Sequence, residues 1–461
     1  MKLELGRAAE FMKGSAQCDL HAIASGYSID SRTVAPDDLF FAIEGEKNDG
    51  HDYVAAALNK GAVAAVVNRT KLGALLGLRD LIAVDDTTIA LQRLGAAVRR
   101  LWGKQLVGVT GSTGKTTTKE CIAHVLGSQK RVLKSLGNLN NHWGMPMQLL
   151  RLEAEHDIAV IEIGMSHAGE IKALAELAQP DVGVVTNVGP VHLEFFDSIA
   201  GIARAKYELI ESLPAGGMAV LNADDEYVCQ FGRDFHGRVI FFGIDKPADI
   251  SAENIRNEGL CGMTFDVVGP GFREYATMPL LGRHNVLNAL AAVAVATERG
   301  IPPSTAVGSL SSLAATEKRG EILSLGGATV INDCYNSNPK ALKTMVETLM
   351  ALPAKRHLVI AGEMLELGPE GAKLHRELGE FMAHSKVDFV LGVRGVACEV
   401  AEGAAHGGSA ALFVNTPEEA GEWLARELKA GDAVLLKGSR GVRLEKALEV
   451  LRAHLDETAN R

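Results

Sequence analysis

From Leu106 onward the chain carries runs that are apolar at nearly every position: QLVGVT, IAVIEIGM, VGVVTNV, GMAVLNADD and RVIFFG. Each of the first four is followed by a stretch of helical character. Strands apolar on both faces and separated by helices predict a parallel sheet covered on both sides. Ahead of them, DLFFAI, AVAAVV and LIAVDD alternate with the alanine-rich HDYVAAALNKGA and IALQRLGAAVRRLW, the pattern of a small α/β unit. DVVGPGFREYATMPLLGRHN reads as a local antiparallel excursion turning at Gly269-Pro270-Gly271. A helix over NVLNALAAVAVATERG follows, with Gly300 as its C-cap before Pro302 and Pro303. After a further helical segment, GATVINDC, RHLVIAGEM, VDFVLGV, AALFVN and DAVLLKGSR predict a third α/β unit. The expectation is an α/β protein of three domains: 1–105, 106–317 with a parallel sheet, and a Rossmann-like 318–461. Clefts between such domains are where ligands usually sit.

A chain of 461 residues exceeds one ordinary core, which agrees with that division. With 47% apolar and 23% charged residues it reads as globular. The net charge of −10 argues against nucleic acid or an anionic membrane as the main partner. An anionic ligand must then be held by local donors. Six scattered cysteines without a C-x-x-C pair predict reduced, mostly buried thiols. KLELGRAAEFMKG has no basic segment leading into an apolar one, so no secretory signal is expected. No apolar run approaches the ~18 residues of a membrane span. The expected location is cytoplasmic.

Candidate chemistry begins at VGVTGSTGKTTTKE, residues 107–120. Here Thr110, Gly111, Ser112, Thr113, Gly114, Lys115, Thr116 and Thr117 follow an apolar strand and open a helix. A glycine-rich bend turns backbone N–H groups around an anion, Lys115 adds a point charge, and the Thr116 hydroxyl can ligate Mg²⁺. The helix aims its positive end at the same place. One detail departs from the general phosphate-loop pattern: its first glycine would fall at Val109, whereas Gly108 comes one residue early. Glu162 ends a buried strand, where a carboxylate can face that loop as a Mg²⁺ ligand or cap the next helix. TNVGPVHLEFF places Asn187 and His192 on a loop beyond the following strand. Lys206 has the spacing of a solvated helix residue. Asn285 and Asn288 lie three apart on one helix face, where two amides could read an adenine edge, or Asn285 could be an N-cap.

Taken in order, Lys115, Glu162, His192, Asn285, Asn288, Arg319 and Asp333 resemble the recurrent active-site set of the Mur ligase family. That family comprises ATP-dependent amide-forming enzymes of peptidoglycan assembly. The words TGSTGKTT, TNVGPVHLE, GRHNVLNALAA and KRGE match as well. The resemblance spans the chain and implies a UDP-sugar-binding first domain, an ATP-binding second and an amine-binding third. Four stretches are similar to the branch that adds D-Ala-D-Ala to UDP-N-acetylmuramoyl-tripeptide. IDSRTVAPDDLFFAIEGEKNDGHDY carries Ser31 and Arg32, and GNLNNHWGMP carries Asn138 and Asn141. NDCYNSNPKAL carries Tyr335, Asn336 and Asn338, and KGSRG, which accompanies AGEMLELG, carries Lys437, Ser439 and Arg440. Departures are Cys334 and Ser337 in place of Ser and Ala, and MSHAGEI in place of N-x-P-G-E-I.

The resemblance implies catalytic roles for Lys115, His192, Lys206 and Arg319. It implies ATP contacts from the phosphate loop, Asn285, Asn288, Arg319 and Asp333. Two Mg²⁺ sites would use Thr116, Glu162, His192 and Lys206, the last as a carbamate formed with CO₂. A monomer is expected. The competing readings are a sibling ligase or folylpolyglutamate synthase, and a P-loop NTPase that uses hydrolysis as a switch. YNSNP and NLNNHWG argue against the first two. Arg319 and Asp333, so far from the phosphate loop, are unexplained on the last.

Overall fold

Gln105–Thr110, Ile158–Glu162 and Val182–Val185 are strands buried along almost their whole length, because helices cover both faces of the sheet they share. This computed structural model describes residues 1–459 apart from His192. Nine strands form the central sheet. Gln105–Thr110 lies between Val182–Val185 and Ile158–Glu162, parallel to both. From that strand the chain builds Val132–Lys134 and Ile158–Glu162 on one side and then crosses to Val182–Val185 on the other, so its carboxyl end is a topological switch point, the usual place for a ligand in an open α/β sheet.

The excursion read from DVVGPGFREYATMPLLGRHN is antiparallel but not separate. Ile250–Asn257, Met263–Gly269 and Phe272–Met278 extend the same sheet at one edge. Val132–Lys134, too short and mixed to be read as a strand, forms the other edge. GMAVLNADD is not followed by a helix. After Met218–Asn222 there is only the 3₁₀ turn Val228–Gln230 before the next parallel strand, Arg238–Gly243. Asp225 accepts the N–H groups of Tyr227 and Val228 at 3.1 Å and holds that turn tight. The C-cap of the helix Arg283–Glu298 is Arg299, and Gly300, the expected cap, lies one residue beyond it and adopts the left-handed φ of +83 that ends the helix.

The first domain carries a five-stranded sheet and the third a six-stranded one. In the third, Glu321–Leu325 is an antiparallel edge strand on an otherwise parallel sheet. The three domains do not adhere equally. Leu3, Leu91 and Val98 of the first share one continuous core with Leu149, Ile161 and Leu209 of the second. Arg99, on the helix Thr87–Trp102, donates to the carbonyls of Ala178 (2.7 Å) and Gln179 (2.9 Å) and pairs with Asp181. The third domain has cores of its own, which from the second domain take in only Leu281. First and second therefore pack as one body, and the third docks on it.

No described helix is long and apolar enough to cross a membrane. All six cysteines are free, but only Cys121 and Cys334 are buried. Cys261 is exposed and the other three are intermediate, so the expectation of mostly buried thiols is corrected.

Candidate active site

A cavity of about 1500 Å³ opens at the switch point, walled by residues of all three domains. Its floor is the phosphate loop. Gly111 has φ +150, and a Cβ there would fall 1.9 Å from Thr186 Oγ1. Gly114 has φ +79 and sits against the Asn288 side chain. Both turns therefore require glycine. Gly108, the residue that arrives one position early, lies in the strand under Ile163 and Leu209. It is a packing glycine, and the loop proper starts at Gly111. Asn187 pins the loop from outside: its carbonyl accepts Ser112 N–H (2.9 Å) and its Oδ1 accepts Thr113 N–H (3.0 Å). Thr186 donates to the Thr113 carbonyl at 2.6 Å. Ser112 and Thr117 line the cavity, whereas Thr110 Oγ1 is buried without a hydrogen-bond partner.

Lys115 curls back to donate to the Gly111 carbonyl at 2.6 Å. Burial lowers its pKa, the Glu162 charge opposes that, and Arg319 adds to it. Glu162 is itself buried. Its Oε2 accepts from Thr116 Oγ1 and its Oε1 from Asn140 Nδ2, both at 2.7 Å. The next helix, Glu170–Ala178, starts at Gly169 without a side-chain cap, so Glu162 is no helix cap. Among the described residues no cation lies in ion-pair reach of it. A buried carboxylate held only by neutral donors, beside a threonine hydroxyl, is a donor set suited to Mg²⁺.

Lys206 is only 2% exposed, which overturns the solvated-helix reading. No described carboxylate pairs with it, and burial together with the Lys115 charge drives its pKa well below the ordinary lysine value. His192 lies outside the described residues. Asn285 is not an N-cap, because the helix begins at Arg283 behind Gly282. Its amide donates to the Leu281 carbonyl (2.8 Å), Asn288 Nδ2 donates to Asn285 Oδ1 (2.9 Å), and Thr118 donates to Asn288 Oδ1 (2.9 Å). The two amides clamp this helix to the phosphate-loop helix, Lys115–Gly127, and keep one N–H each for a ligand.

The third domain supplies the roof. The Arg319 guanidinium lies 4.0 Å from the Tyr335 ring centroid. Lys437 donates to Asp333 Oδ2 at 2.5 Å and to the Asn336 carbonyl at 2.9 Å. Asn338 lines the cavity and caps the helix Pro339–Met350 by accepting Ala341 N–H. Arg440 lines the cavity and pairs with Glu445. His284, which the sequence reading passed over, faces Asp333 and Lys437. Burial takes its pKa down to about 4, with Asp333 raising it and Lys437 lowering it, so the ring is neutral near pH 7.

Not every expected residue arrives here. Ser439 is buried, accepts Leu365 N–H at 3.0 Å and lies outside the cavity lining, where it braces two loops. Ser31 and Arg32 lie on a turn outside the cavity lining, where Arg32 forks onto Asp30. Asn138 and Asn141 do line it, but Asn141 Oδ1 is occupied by Gly144 N–H at the start of Gly144–Leu150. The residue of NLNN that reaches Glu162 is Asn140, and nothing in the spacing distinguished it from its neighbours.

Residues 24–98 match the Mur ligase family catalytic domain, 109–296 the Mur ligase middle domain, and 318–440 the Mur ligase glutamate ligase domain. The UDP-N-acetylmuramoyl-tripeptide--D-alanyl-D-alanine ligase of Bacillus subtilis (strain 168) is 33% identical over 462 residues, covering 98% of each chain. The chain belongs to the Mur ligase family. Among solved structures, a MurF from Acinetobacter baumannii superposes with a TM-score of 0.89 at 28% identity, covering 98% of this chain and 99% of that one. A Mur ligase from Thermotoga maritima, a MurF in complex with ADP, superposes with a TM-score of 0.83 at 28% identity, covering 94% and 99%. The three-domain Mur ligase architecture accounts for a phosphate loop and a third-domain roof meeting across one cavity.

Proposed function

We propose that this chain is the ATP-dependent ligase that joins D-alanyl-D-alanine to UDP-N-acetylmuramoyl-tripeptide, forming the pentapeptide precursor of peptidoglycan. The observation that carries the reading is the convergence of phosphate loop, Thr116–Glu162 pair, Arg319 and Asp333 on one cavity. Near full-length similarity to ligases of that name, and to one solved with ADP, supports it. Residues 1–105 would hold the UDP-sugar, 106–317 ATP, and 318–461 the dipeptide. Its nucleotide substrates imply a cytoplasmic location, and the chain would act as a monomer.

An amide does not form from a carboxylate and an amine until the carboxylate carries a better leaving group. The tripeptide carboxylate attacks the γ-phosphorus of ATP, a P–O bond forms, and the bond to ADP breaks. The dipeptide amine then attacks the acyl carbon and phosphate departs. Two anions meet in the first step, so electrostatic stabilisation of the phosphoryl group is the main requirement. Phosphate-loop N–H groups and Lys115 meet it from below and Arg319 from above. Thr116 and Glu162 fit one Mg²⁺, and His192 would serve a second. Such ions would neutralise phosphate charge. Lys206 fits a carbamate, since its depressed pKa favours the neutral amine that reacts with CO₂, and the product would place an anionic ligand where an ammonium would repel Mg²⁺. Closure of the third domain excludes the water that would hydrolyse an acyl phosphate.

Phosphate release measured with each substrate omitted in turn, with mass detection of the UDP-pentapeptide, tests the reading. Turnover should require all three substrates. Vigorous ATP hydrolysis without UDP-tripeptide, and no pentapeptide with everything present, would favour the switch.

A further inference from the structure

We propose that Lys340 is a catalytic cation which the third domain delivers to the transferring phosphoryl group, an inference resting on the ligase reading above. Lys340 occupies the second position of the helix Pro339–Met350 and lines the cavity. Its side chain crosses from the third domain to the second. Its Cδ lies 3.5 Å from where a Cβ on Gly189 would be, and its ammonium is 3.7 Å from Asp225 Oδ2. Gly189 is the residue whose N–H binds Ser112 Oγ at 2.9 Å, so Lys340 hangs over the rim of the phosphate loop.

The other cations at this end of the cavity are engaged. Lys115 holds the Gly111 carbonyl, Arg319 stacks on Tyr335, and Lys437 is bonded to Asp333. Arg283 pairs with Asp245, and Arg440 with Glu445. The Lys340 ammonium, by contrast, has no hydrogen bond among the described residues, and its side chain is 50% exposed. Nor does Asp225 depend on it: that carboxylate already accepts N–H groups from Val188, Tyr227 and Val228.

Helix stability does not explain a lysine here either. The first turn of a helix carries partial positive charge and favours an acidic residue. A cation placed there is disfavoured until an anion arrives, and then both the ammonium and the helix end attract it. The anion available at the loop rim is the γ-phosphoryl group. As the tripeptide carboxylate forms its bond to phosphorus and the bond to ADP breaks, the ammonium donates hydrogen bonds to a non-bridging oxygen and gives up no proton. Because the lysine belongs to the third domain, phosphoryl transfer becomes tied to docking of the domain that brings the amine.

The experiment compares the wild-type chain with Lys340→Met and Lys340→Arg. ATP and UDP-tripeptide are mixed without dipeptide, and the acyl phosphate is trapped with hydroxylamine. Steady-state constants for ATP and D-Ala-D-Ala and the melting temperature are measured alongside. Lys340→Met should slow acyl-phosphate formation about 10²-fold. Its KM for the dipeptide should stay near wild type and its melting temperature should not fall, while Lys340→Arg should recover part of the rate. An unimpaired trapping rate in Lys340→Met overturns the proposal. So does a raised dipeptide KM with normal trapping, which would make Lys340 a holder of the dipeptide carboxylate. A wild-type chain that yields neither trapped intermediate nor pentapeptide overturns the ligase reading and this role with it, whereas an active wild type beside an unimpaired variant overturns the role of Lys340 alone.

Discussion

Lys206→Met replaces a buried, unpaired amine with an apolar side chain of similar length, and it should act on stability and activity in opposite directions. The lysine is 2% exposed, no described carboxylate pairs with it, and the Lys115 charge repels it. Replacing buried charge with a well-packed apolar group commonly stabilises by about 1–4 kcal/mol, and here no partner is left stranded. Denaturant unfolding in CO₂-depleted buffer should therefore show the variant more stable by about that amount. The pH dependence follows from the lowered pKa. Between the folded value and the ordinary lysine value near ~10.4, the unfolded chain holds the proton and the folded chain does not. The advantage of methionine is thus largest below the folded pKa and fades as pH rises toward the unfolded one. Activity should fall about 10²-fold or more, because the position of a metal ligand is lost. Short carboxylic acids should restore part of the activity in Lys206→Ala, and a carbamate carbon signal should appear in wild type supplied with ¹³CO₂. A Lys206→Met protein that is less stable than wild type in CO₂-depleted buffer, or fully active, would refute the reasoning.

Lys115→Ala should lower turnover by roughly 10²–10³, the usual effect of losing one preorganised donor; phosphate release within a few-fold of wild type would sink that role. Asp333→Ala strands Lys437, whose side chain is 4% exposed, and should destabilise the third domain by about 3–5 kcal/mol in urea unfolding. A loss under about 1 kcal/mol would show that solvent reaches Lys437. Gly111→Ala drives a Cβ to 1.9 Å from Thr186 Oγ1 and should break the bond from Thr186 to the Thr113 carbonyl. Nucleotide affinity, followed by titration with a non-hydrolysable ATP analogue, should drop at least about tenfold, with about 1–3 kcal/mol of lost stability; unchanged affinity would contradict the turn geometry.

Residues adjacent in sequence share one local geometry, so the phosphate loop was legible as a word: TGSTGKTT names both the turn and its chemistry. The buried strands were legible for the same reason, because a strand covered on both faces must be apolar at every position. Glu162 at the end of such a strand was placed beside the loop by topology alone. What spacing does not contain is the neighbour contributed by another segment. Lys206 has the period of a helix residue, and only the packing of Ile199–Glu211 against the sheet removes it from water. Asn138, Asn140 and Asn141 are chemically alike, and the fold alone aims Asn140 at Glu162 while Asn141 accepts the Gly144 N–H. Ser439 belongs to a recognisable motif, yet its hydroxyl turns to a backbone N–H of a loop distant in sequence. The class of the chain thus follows from local patterns, since each depends on residues within one turn or one strand. The pairing of charges, the neutral His284 and the lysine that crosses between domains depend on which surfaces meet, and only the tertiary structure decides that.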